Sequence, residues 1–66
     1  MTYDVIKIEF ASIGGLIDSG DLRQAMQRYE SLMRCGATLH DRDYLLGRAQ
    51  VTKLVKFAKK YMVENA

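Results

Sequence analysis

A chain of 66 residues with 48% hydrophobic and 27% charged side chains has the composition of one globular domain, which excludes a disordered tail. Its net charge of +2 is too small to name a nucleic-acid or membrane partner, so any such claim rests on how the charges are arranged. One cysteine and one histidine allow neither an internal disulfide nor a cluster of metal ligands; a domain this small buries only about 60% of its unfolded surface, and self-association is the remaining way to enlarge its core.

Thr2 to Asp18 opens with Ile6, Ile8 and Phe10 alternating with Lys7 and Glu9, the pattern of a half-buried strand. A helix accounts for more of the segment. At 100° per residue Val5, Ile6, Phe10, Ile13, Leu16 and Ile17 share a face with Tyr3, while Asp4, Lys7, Ala11 and Gly15 lie opposite. Ile8 on the outside, Glu9 on the inside and the Gly14–Gly15 pair are the misfits. Glycines inside a helix each cost about 1 kcal/mol relative to alanine, and their presence predicts close approach of a neighbouring backbone.

Asp18, Ser19, Gly20 and Asp21 form a turn, with Ser19 or Asp18 placed to cap the next helix. From Asp21 to Cys35 the stripe of Leu22, Ala25, Met26, Tyr29, Leu32 and Met33 predicts a second helix, and Gly36 suits a left-handed stop. Thr38 with Asp41 resembles a capping box, and Asp41 itself is an equally good start. Beyond it no proline intervenes, and Tyr44, Val51, Leu54, Val55, Ala58, Tyr61 and Met62 lie on one arc, with Gly47 on or near it. The expectation is an all-α, three-helix chain (about 3–18, 20–35 and 39–64), a single domain over 1–66, whose third helix runs nearly 40 Å against about 24 Å for each of the others. The overhang, with Phe57, Ala58, Tyr61, Met62 and Val63, then calls for a second copy. The expected homodimer is intertwined or packed through the first and third helices, with Leu54, Phe57, Ala58, Tyr61 and Met62 as its contacts.

Opposite the apolar arc stand Arg48, Lys53, Lys56, Lys59 and Lys60, with Thr52 among them. Such a row neutralises phosphates, meets an acidic protein or stays solvated; no aromatic is interleaved with it for base stacking. A helix-turn-helix reading of Ala11 and Gly15 fails, because Asp21 and Gln24 occupy positions that must be apolar. Cys35 at a helix C-terminus lacks the electropositive setting of a reactive thiol and reads as a small semi-buried residue. His40 with Asp41 and Asp43 makes no closed metal site, and Cys35 with His40 lacks an orienting third group. Met26, Met33 and Met62 read as core filling. The reading is therefore non-enzymatic, with no cofactor. The opening apolar run is broken by Lys7 and Glu9, and no run approaches the roughly 18–20 residues of a membrane span; the expected location is the cytoplasm.

Gly20 to Met33, with Ala25 and Tyr29 at packing positions, resembles the second half of a tetratricopeptide repeat. Ser12 and Ile13 stand where that repeat has Leu and Gly, and a shift of about 34 residues finds no second copy, so the resemblance implies only an antiparallel helix pair. The whole chain, opening MTYDVIKIEF and closing AKKYMVENA, resembles the small helical accessory proteins encoded in the early regions of lambda-like phages, including the region between their recombination and excision genes. That resemblance implies a regulatory protein that binds a host protein in the host cytoplasm. The alternative is a nucleic-acid-binding accessory factor using the lysine face.

Overall fold

The computed structural model describes the backbone of residues 2–64 and the side chains of residues 2–61. The described residues form four helices: α1 (Tyr3–Asp18), α2 (Leu22–Arg34), α3 (Leu39–Leu46) and α4 (Arg48–Glu64). The all-α expectation holds, and residues 4–10 are helix. The expected three-helix count does not hold, because the segment 39–64 is broken at Gly47.

Thr2 opens α1, its hydroxyl accepting from the Val5 N–H. The ends of α1 and α2 are built alike: Gly20 (φ +85) and Gly36 (φ +110) each take the left-handed conformation that glycine adopts without steric cost. The residue after each glycine reaches back to an orphan carbonyl, Asp21 N–H to Leu16 and Ala37 N–H to Leu32. Asp21 caps α2, accepting from Gln24 N–H; neither Ser19 nor Asp18 does so. Ser19 instead donates its hydroxyl to the Leu16 carbonyl. The capping box is complete at α3: Thr38 Oγ1 accepts from Asp41 N–H at 3.1 Å, and Asp41 Oδ2 accepts from Thr38 N–H at 3.0 Å.

The core gathers around α1, which packs against all three other helices. Phe10 and Ile13 are fully enclosed, with Ile6 and Ile17 from the same face, Ala25, Met26 and Leu32 from α2, Ala37, Leu46 from α3 and Leu54 from α4. The break at Gly47 is what brings Leu46 and Leu54 together in this core. In one straight helix Leu45 would fall among the lysines, and Leu46 would stand about 80° from Leu54. Turning the chain between them lets Leu45, Leu46 and Leu54 all pack into the same core. The same turn leaves Tyr44, expected on the apolar arc, 75% exposed with its ring stacked on His40.

Two further expectations are revised by the packing. Gly14 is buried because a side chain, not a backbone, approaches it: Gln50 Nε2 donates to the Gly14 carbonyl at 3.2 Å and to Asp18 Oδ1 at 2.9 Å. Nothing approaches Gly15. The described part of the overhang also disappears, since α4 alone is about 25 Å long and the described domain measures 34 × 22 × 17 Å; Met62 and Val63 lie outside the described side chains. Leu54 is 1% exposed, and Phe57 and Ala58 pack against the core of their own chain.

Candidate functional site

Burial sorts α4 into two sides. Leu54 lies at the centre of the inner side, flanked by Gln50, Val51, Phe57, Ala58 and Tyr61, all at least partly covered. Arg48, Lys53, Lys56, Lys59 and Lys60 are exposed on the other side, as their spacing predicts, and extend over about 18 Å of helix axis. Thr52 lies among them, its hydroxyl donating to the Arg48 carbonyl at 2.8 Å.

Charge is divided unevenly along the chain. Residues 1–47 carry five cations and seven acids, net −2, whereas α4 carries five cations and one acid, net +4. The other arginines are engaged elsewhere. Arg42 donates to Asp43 and to the Tyr29 hydroxyl, and that hydroxyl is the main reason its pKa is raised above the ordinary arginine value. Arg34 pairs loosely with Glu30 at 3.9 Å, Arg28 donates to Ser12, and the guanidinium of Arg23 lies 5.3 Å over the Tyr61 ring. Among the described residues none of the five α4 cations has an acidic partner. Their charges therefore point into solvent, where salt screens them.

The expected dimer contacts divide differently. Leu54, Phe57 and Ala58 serve the chain's own core, and Tyr61 is half-buried between Phe57 and Arg23. Met62 lies outside the described side chains.

A feature that sequence reasoning did not find is an open groove of about 380 Å³ between the first half of α1 and the second half of α2. Val5 and Leu32 give it apolar lining, and Glu9, Gln27, Arg28, Ser31 and Cys35 complete it. Cys35, expected to be semi-buried, is an exposed free thiol at this rim. The signal was present in Glu9, whose place on the inner arc of α1 marks a flank that α2 covers incompletely. Among the described residues no three His, Cys, Asp or Glu side chains are grouped to hold a metal ion, and no helix is long and apolar enough to cross a membrane.

No protein-family model, curated protein or solved structure matches the chain.

Proposed function

We propose that this protein is a small, non-enzymatic helical interaction module that docks on an acidic protein surface through the outer side of α4. The observation that carries the reading is the row from Arg48 to Lys60: five exposed cations on the face opposite Leu54, none with an acidic partner among the described residues. Such a row raises the association rate with an acidic patch and disfavours basic surfaces. It sits on a helix whose other side is fixed in the core, so the charges are presented on a rigid element. The resemblance to phage accessory proteins adds a host protein, met in the host cytoplasm, as the target class.

The second reading is nucleic acid, favoured by the same row because phosphates are its other natural counterpart. A triple Lys53→Glu, Lys56→Glu, Lys60→Glu variant separates the two. Binding of wild type and variant is measured to a set of folded acidic proteins of defined surface charge, and to duplex and single-stranded DNA, across a salt series. Wild-type binding to acidic proteins that the variant loses, with no salt-dependent DNA binding, supports the protein-docking reading. DNA binding that falls steeply with salt and is lost in the variant replaces it with the nucleic-acid reading. Equal behaviour of the two chains toward every probe removes the face as a binding surface.

A further inference from the structure

The connection between α3 and α4 is a single residue, and its geometry points to an exchange of α4 between two copies of the chain. Gly47 has φ +82 and ψ 163, a backbone region open essentially only to glycine. Its N–H already donates to the Asp43 carbonyl, and its own carbonyl already accepts from Val51 N–H. These are the two bonds that Gly47 would make inside an uninterrupted helix. Rotating this one residue into the helical region therefore breaks neither of them. It also lets the N–H groups of Arg48, Ala49 and Gln50 bond back into α3. In the closed chain those groups have no capping side chain among the described residues, whereas Thr2, Asp21 and Thr38 cap the other three helices.

We propose that Gly47 acts as a hinge, and that when it straightens α4 leaves its own α1 and α2 and fills the same position on a second copy. The occupant is the second copy because the vacated site is already complementary to α4. It takes Leu54 into the core, Gln50 onto Gly14 and Asp18, and Tyr61 under Arg23. No new contact surface is needed, which is what makes exchange of an identical element a low-cost route to a dimer. Glycine holds the balance: it alone tolerates the closed turn, and it is a poor residue for the straight helix. The exchange is independent of the protein-docking role of α4, since the cationic side faces outward in both forms.

The test uses Gly47→Ala in the full chain. Alanine is strained at the closed turn and favoured in the straight helix. Both copies shed the strain, so the association constant rises as the square of the factor per hinge, and a roughly tenfold factor gives about 100-fold. Light scattering over a concentration series, with circular dichroism for folding, reads the mass. A second set carries Cys35→Ser, Arg23→Cys and Tyr61→Cys, with and without Gly47→Ala, and a flexible bis-maleimide cross-linker bridges the two cysteines to report which chain's α4 lies on α2. A folded Gly47→Ala dimer whose 23–61 cross-link joins two chains is the expected result. A Gly47→Ala chain that is folded and monomeric, or unfolded at every concentration, overturns the proposal, and so does a dimer whose cross-links close within each chain.

Discussion

Gly14 and Gly15 are adjacent in one helix, yet replacing each by alanine has opposite consequences. A Cβ at Gly15 meets nothing within 4 Å, so Gly15→Ala gains about 1 kcal/mol from helix propensity alone. A Cβ at Gly14 would lie 3.0 Å from Gln50 Oε1 and 3.5 Å from Nε2. The Gln50 amide must then retreat, and in doing so it weakens its bonds to the Gly14 carbonyl and to Asp18. Each such bond contributes about 1 kcal/mol, so their loss outweighs the propensity gain and Gly14→Ala is destabilising by about 1 kcal/mol. Removing the obstacle reverses the sign. In a Gln50→Ala background Gly14→Ala stabilises by about 1 kcal/mol, a coupling of about 2 kcal/mol between positions 36 apart in sequence. Urea and thermal unfolding of the four chains measure this, and a difference of 1 kcal/mol moves the midpoint by about 4–8 °C in a domain of this size. If Gly14→Ala stabilises as much as Gly15→Ala, or its effect is unchanged without Gln50, the account of the α1–α4 contact is wrong.

Leu54→Ala removes a side chain that is 1% exposed and costs about 2–5 kcal/mol. Against a total of about 3–10 kcal/mol for 66 residues, circular dichroism should show most or all of the cooperative transition lost. Thr38→Ala breaks one half of the capping box and lowers the urea midpoint by an amount equivalent to about 1 kcal/mol. The triple Lys53→Glu, Lys56→Glu, Lys60→Glu chain, with net charge moved from +2 to −4, keeps its thermal midpoint within a few degrees. It should nonetheless lose retention on a heparin column, because no described acid pairs with the lysines it replaces.

Much of the fold was legible because the relevant signals are local. The apolar stripes of α1 and α2, the glycine after α2 and the Thr38–Asp41 box each depend on residues within a turn or two of one another. The cationic side of α4 was legible for the same reason, since spacing alone places Lys53, Lys56 and Lys60 together. The break at Gly47 was obscured because the apolar arc of residues 44–62 looked continuous through it. The contrary evidence was in Leu45 and Leu46, two large apolar residues that a straight helix would leave on or beside the lysine row. Tyr44, which fitted the arc, is the residue that the real turn exposes. Gln50 was the other hidden element: a lone glutamine carries no local signal, and its role shows only when Gly14 and Asp18 are seen opposite it. The expected overhang followed from the assumed straightness of one helix; with that helix bent, Phe57 and Ala58 lie on the chain's own core.

The connections between the helices consist of residues 19–21, 35–38 and the single Gly47. Proteases require an extended, accessible segment, and exposed loops are where they ordinarily cut. Here the connections are turns closed by backbone hydrogen bonds, with little slack to fit an active-site cleft. Internal cleavage then waits for unfolding, and the cellular lifetime of the chain tracks its population of open molecules when opening and closing are fast relative to cleavage. A change as small as one methyl group at Gly15 would lengthen that lifetime, and one at Gly14 would shorten it.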